Sequence, residues 1–261
     1  MSGTGSGYDL SATTYSPDGR VFQIEYAQKA VDNGGTALAL CCKDGIVFAN
    51  EKFLLSKMLV PGTNKRIFPV DRHATLAISG LVADAKQIVE RAREECSQYK
   101  QVYSTPIPGP VLADRVAMFM HMYTLYWSVR PFGSTVLLGV YDEVEGPQLY
   151  GIDPSGTAIK FKGIAVGKGR QAGRTEIEKL LPTDAAVPYV NLTCEEAKFS
   201  AAKIIQKCHD EKDKDLELEM AVLCDATGKS HKMIPQAEIH QLQERAKKSI
   251  EEEEEAQMEE D

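Results

Sequence analysis

Hydrophobic and polar positions along the chain change period several times, and each change marks an element. Residues 1–14 are rich in Gly, Ser and Thr, with Tyr8 and Leu10 as the larger apolar side chains. Ser16-Pro17-Asp18-Gly19 has the composition of a type I turn, and a helical stretch follows from Arg20 to Asn33, stopped by Gly34-Gly35. The period then drops to two: Thr36, Leu38, Leu40 and Cys42 face one way, and Ala37, Ala39 and Cys41 the other. Short strands are expected near 46–50, 53–57, 66–69 and 74–79. Apolar residues at 82, 85, 89, 92, 96 and 99 then take helical spacing. Leu112, Val116, Phe119, Tyr123 and Tyr126 repeat it beyond a linker with Pro106, Pro108 and Pro110. Strands are expected again at 134–142, 148–153 and 158–166, helices at 168–181 and 194–209, strands at 217–224 and 231–234, and a helix over 235–250.

Strands and helix pairs come in blocks and do not alternate one by one, which excludes a doubly wound parallel sheet. The pattern predicts the α+β class, as a four-layer α/β/β/α sandwich with an amino-terminal helix. Its organisation reads as a mobile arm over 1–14, one domain over 15–250 and an extended, solvated acidic tail over 251–261.

The helix from Arg20 to Asn33 is unusual. Phe22, Ile24, Tyr26, Ala27, Ala30 and Val31 fill an arc of roughly 200°, interrupted by Gln23, where one core contact needs about 100°. The surplus predicts a second apolar partner.

Composition narrows the function. With 43% hydrophobic and 26% charged residues among 261, the chain is built to fold around a core. The net charge of -8 equals the eight carboxylates of residues 251–261, so the body is electroneutral and gives no support for nucleic-acid binding. The six cysteines lack C-x-x-C spacing and read as reduced core thiols. No membrane-length apolar run and no leader pattern appear, so an intracellular protein is expected. Asn191-Leu192-Thr193 is then a chance sequon. Histidines 73, 121, 209, 231 and 240 lack metal-site spacing, and Gly167-Lys168-Gly169-Arg170-Gln171-Ala172 lacks the parallel strand a dinucleotide site requires. No cofactor or metal is expected.

Tyr8-Asp9 followed by Tyr15-Ser16-Pro17-Asp18-Gly19-Arg20-Val21-Phe22-Gln23-Ile24-Glu25-Tyr26-Ala27 resembles the amino-terminal signature of the α-subunits of the 20S proteasome. The likeness continues through Lys43-Asp44-Gly45, Asn64-Lys65-Arg66, Gly80-Leu81-Val82-Ala83-Asp84-Ala85, Arg130-Pro131-Phe132-Gly133 and Asp153-Pro154-Ser155-Gly156, and is strongest with the type-3 branch, placed at the seventh ring position. The resemblance implies an Ntn-hydrolase-like sandwich in a seven-membered ring, in the cytoplasm and nucleus. Its partners would be neighbouring α-subunits, β-ring subunits and regulatory particles, with no nucleic acid or membrane. It further implies that Tyr8, Asp9, Pro17 and Tyr26 form a gate cluster. Arg66 would lie in an activator pocket where many α-subunits have lysine, and Leu10 departs from the family's Tyr-Asp-Arg pattern. In the catalytic β-subunits the nucleophile is an amino-terminal threonine. Here Gly35 falls at or beside that position, Thr36 is internal, Glu51 stands near an expected aspartate and Arg66 near an expected lysine, so no catalytic residue is expected. A self-processing threonine hydrolase is the alternative. Ser249, directly before the acidic run, is a candidate for phosphorylation.

Overall fold

Two five-stranded antiparallel sheets stack face to face, each covered on its outer side by helices. The computed structural model describes residues 7–53, 56, 58–60, 62–209 and 216–260. In chain order the elements are α1 (Phe22–Asp32), β1 (Ala37–Cys42), β2 (Gly45–Phe53), β3 (Ile67–Asp71), β4 (Ala74–Gly80), α2 (Val82–Tyr103) and α3 (Gly109–Met122). They continue with β5 (Ser134–Asp142), β6 (Gly146–Ile152), β7 (Ala158–Phe161), β8 (Gly163–Val166), α4 (Arg170–Glu178), α5 (Cys194–Cys208), β9 (Leu216–Cys224), β10 (Ser230–Met233) and α6 (Gln236–Glu260). One sheet has the order β10-β9-β2-β1-β8, the other β3-β4-β5-β6-β7. This is the predicted α/β/β/α sandwich.

Three apolar layers hold it together. Leu76, Ile78, Val136 and Leu138 meet Ile88, Leu112 and Val116 of α2 and α3. On the far side Leu38, Leu40 and Val47 meet Ala197, Ala201 and Ile205 of α5. Between the sheets lie Ala37, Ala39, Ala77 and Ala221 with Phe48, Leu137 and Leu149. Every position of β1 is therefore buried, and its alternation separates two apolar faces. Phe48 needs the gap at Gly139, where a Cβ would stand 2.4 Å from its Cζ.

Three expectations are corrected. No break separates the strand expected at 46–50 from the start of the one expected at 53–57: β2 runs unbroken from Gly45 to Phe53, in register with β9 along its whole length, and residues 54, 55 and 57 lie outside the described residues. The strand expected over 158–166 is two: β7 pairs with β6 in one sheet, and β8 with β1 in the other. Phe161 and Ile164, an odd number of residues apart, both pack toward the inter-sheet layer, which one continuous strand forbids. The crossing at Lys162-Gly163 resolves the conflict.

The third correction concerns the acidic segment. It is not extended: α6 carries on to Glu260. Glutamate is a good helix former, and Lys203 and Lys207 of α5 both donate to the Glu253 carboxylate, Lys207 at 2.9 Å. Those donors pull the Glu253 pKa down to about 2 from 4.5. The folded value lies below the unfolded one, so the stabilisation is present above about pH 4.5 and is lost as pH falls toward 2. We expect Glu253→Gln to reduce amide protection over 247–260 at neutral pH, and the wild type to lose the same protection, relative to intrinsic exchange, below pH 4.5. Unchanged protection in both would mean that the two lysines do not hold this end of α6.

Candidate functional site

Ser16 ties the turn that precedes α1. Its amide donates to Arg20 O at 2.9 Å, its hydroxyl accepts from Arg20 N at 3.0 Å, and its carbonyl accepts from Gly19 N at 2.9 Å. Pro17 sits at the exposed tip. Arg20 then forks onto Glu25, with Nε 2.7 Å from Oε1, and lies over the Phe22 ring at 5.0 Å. The pair raises the guanidinium's pKa and lowers the carboxyl's.

Residues 7–14 run back along α1 and are held at three places. Tyr26 Oη donates to Asp9 Oδ2 at 3.1 Å, and this acceptor pushes the phenol's pKa up. Gln23 Nε2 donates to the Asp9 carbonyl oxygen, and Ala12 is 5% exposed. Of the four residues expected to cluster, the fold brings Asp9 and Tyr26 together. Tyr8 is exposed and joined to the other three by no hydrogen bond or ring contact, and Pro17 shapes the turn from a distance. The arm's first six residues lie outside the described residues. Gln23 and Ala12 were missed by sequence reading. Gln23 did carry a signal, as the polar interruption of an apolar arc.

Within α1, Phe22, Ala27 and Val31 face inward against β4 and β5, whereas Tyr26 stays 38% exposed. The chain thus covers part of the apolar arc and leaves part uncovered. At the foot of the helix Gly34 passes so close to Gly80 that a Cβ would stand 2.6 Å from Gly80 N.

Beneath lies a buried polar cluster around a cavity of about 140 Å³, lined by Gly34, Gly35, Glu51, Lys52, Arg66 and Ser79 among others. Thr36 N donates to Glu51 Oε2 at 3.1 Å, and Glu51 Oε1 meets His209 Nδ1 at 2.7 Å. The Thr36 hydroxyl oxygen accepts from Gly169 N at 3.0 Å. Lys52, 3% exposed, reaches Glu217 at 2.8 Å and Glu219 at 3.7 Å. Burial drives the Glu219 pKa up, opposed by donors from Arg66 N at 2.8 Å and Ile67 N at 3.4 Å and by the charge of Lys52. Arg66 turns its guanidinium back onto Asn64 Oδ1 and Lys65 O, and burial lowers its pKa. The Thr36 nitrogen is a peptide amide engaged by a carboxylate, so no free amine stands beside its hydroxyl. Among the described residues no group of His, Cys, Asp and Glu is placed to hold a metal ion, and no helix is long and apolar enough to cross a membrane.

Comparison with known families resolves what this arrangement belongs to. The family described as proteasome subunit matches residues 31–223, and the one described as the N-terminal signature of A-type proteasome subunits matches residues 8–30, the arm and most of α1. The chain belongs to the proteasome subunit family, α type. It is 54% identical over 258 residues to the alpha type-3 proteasome subunit of Acanthamoeba castellanii, covering 98% of this chain and 99% of the relative. Against the type-3 subunit of Spinacia oleracea identity is 51% over 253 residues, with 97% and 98% covered. A probable alpha type-7 proteasome subunit of Saccharomyces cerevisiae is 48% identical over 222 residues, covering 85% of this chain and 75% of that one. The break between the two family matches falls between Ala30 and Val31, in the last turn of α1.

The polar cluster beneath α1 makes a quantitative demand on this α-type subunit. Lys52→Met leaves Glu217 and Glu219 without their shared cation, and breaking such a buried pair costs roughly 3–5 kcal/mol. Equilibrium denaturation should show the loss. A cost below about 1 kcal/mol, the range of exposed pairs, would show that water compensates the cluster.

Proposed function

We propose that this α-type subunit is a non-catalytic structural element of the α-ring of the proteasome core particle, where its arm contributes to the axial gate and its surface to the docking of regulatory particles. Its partners are neighbouring α-subunits, β-ring subunits and those regulators, and its place is ubiquitin-dependent protein degradation in the cytoplasm and nucleus. The observation that carries the reading is the placement of α1. The helix stands outside both helical layers, at the strand ends, with an aromatic left exposed and an ordered arm along its flank.

The absence of catalysis rests on Thr36. A threonine hydrolase of this fold needs the residue at a free amino terminus, and releasing one here would sever α1, whose Phe22 and Val31 belong to the packed interior. Arg66, where the resemblance expects lysine, keeps its proton and cannot act as a base. As an activator contact Arg66 would have to exchange Asn64 Oδ1 for the carboxylate of an incoming tail. Ser249 Oγ accepts from Lys203 Nζ at 2.8 Å, so a phosphate placed there by an acidophilic kinase would meet the lysines that hold Glu253. Phosphopeptide mapping of the native particle tests that assignment.

Two experiments test the main reading. Phe22 is 6% exposed within the chain itself, so the informative position is Tyr26. Tyr26→Glu should yield a folded chain that stays outside the core particle on native electrophoresis, because a carboxylate buried unpaired at a contact costs several kcal/mol. Tyr26→Phe keeps the apolar surface and should enter normally. Incorporation of both would refute an assembly role for this face. For the gate, deleting residues 2–12 in an assembled particle should raise basal hydrolysis of small peptides modestly and shrink its stimulation by activators. Unchanged basal and stimulated rates would withdraw the gate assignment.

A further inference from the structure

The contact made to the arm's backbone comes from Gln23, a side chain outside the expected gate cluster. Gln23 and Tyr26 are three residues apart on α1, so their side chains leave the same side of the helix, and both end on Asp9. They differ in what they grip. Tyr26 holds a carboxylate, which can rotate about its own side-chain bonds while the backbone moves. Gln23 holds the main-chain carbonyl and so fixes the path of the arm itself. Three residues on, Ala12 is buried, and Thr13 N is closed onto Ser11 Oγ at 3.1 Å. Between these two fixed points Leu10 projects into solvent at 85% exposure, so no apolar side chain anchors the span.

We infer that Gln23 is a positioning residue of the arm: its amide, donating to the Asp9 carbonyl, clamps residues 8–13 along α1 and sets the population of the arm's ordered conformation. The inference rests on the gate reading proposed above for its functional consequence, but not for the clamp itself. A glutamine suits the role because its amide donates without charge, so the clamp is indifferent to pH across the physiological range and does not compete with the Arg20–Glu25 pair at the start of the helix. By resemblance the ordered arm is the opened state, so loss of the clamp acts against opening.

The test uses Gln23→Met, which keeps length and helix propensity but has no donor, and Gln23→Glu, which at neutral pH presents only acceptors to the carbonyl. Both are measured as the full-length chain and within assembled core particles. A net hydrogen bond corresponds to a roughly two- to tenfold change in equilibrium, so amide exchange over residues 8–16 should accelerate by roughly that factor while exchange in β4 and β5 stays put. Activator-stimulated peptide hydrolysis should fall in the same particles, with unaltered assembly. Unchanged exchange over 8–16 in both variants overturns the clamp. Faster exchange together with stimulated rates that neither these variants nor the 2–12 deletion move supports the clamp and overturns the gate reading alone.

Discussion

The rest of the structure depends on the burial of both faces of its central strands. β1, β2, β4 and β5 are apolar or small at nearly every position because each sheet has the other sheet on one side and helices on the other. Such strands cannot stand without both coverings, so the two helical layers are obligatory. The inner layer sets the spacing: alanines at 37, 39, 77 and 221 let the sheets approach, and the bulk of Phe48 is accommodated because residue 139 has no side chain. With every sheet face covered, no place remains inside the sandwich for a further layer. α1 therefore sits at the ends of the strands, half covered.

That position explains the polar cluster. Strand ends expose backbone groups and would admit water between the sheets, and here they are closed by Glu51, Lys52, Glu217 and Glu219. Each is buried or nearly so: the carboxylates are satisfied by Lys52 or by main-chain amides, and Lys52 by Glu217 and Glu219. Desolvating these charges is costly, and hydrophobic replacements would pack more cheaply. What the ions supply is direction. Glu219 accepts from two consecutive amides of the chain entering β3, and Glu51 joins the start of β1 to the end of α5. Elements far apart in sequence are thereby held in one register under the helix that carries the arm.

How much of this was legible in the sequence follows from the range of each interaction. The helical repeats of α2 and α3 and the period-two run of β1 are local, and their patterns predicted the elements they form. The β7/β8 crossing was not legible, since periodicity reports which residues share a face but not which sheet they have joined. Reading the acidic run as extended weighed its own charge alone. The lysines that meet Glu253 lie 50 and 46 residues earlier, on a different helix. The Lys52–Glu217 pair spans 165 residues and leaves no local trace at all. In the candidate site, Asp9 and Tyr26 were named through a resemblance. The resemblance did not distinguish Gln23, whose contact with Asp9 becomes visible only when the arm is seen lying against α1.

The arm's attachment is weak by construction. Two hydrogen bonds to Asp9 and one buried methyl group hold it, and a hydrogen bond near the surface contributes about 1 kcal/mol net. Ordering the backbone of each residue costs a comparable amount, roughly 1–2 kcal/mol. So few contacts leave the ordered arm no large surplus of stability, in contrast to the sandwich, which three continuous apolar layers hold together. A segment held by so few contacts is one that a partner with differential affinity for its two forms can redistribute. The division of labour in this chain is then physical. The doubly covered sheets and the ion cluster supply a body that does not move, and α1 projects from it a face with room for another chain. Along that face runs a segment held by two hydrogen bonds and one buried methyl group, so whatever docks beside it meets a part of the chain whose movement few contacts oppose.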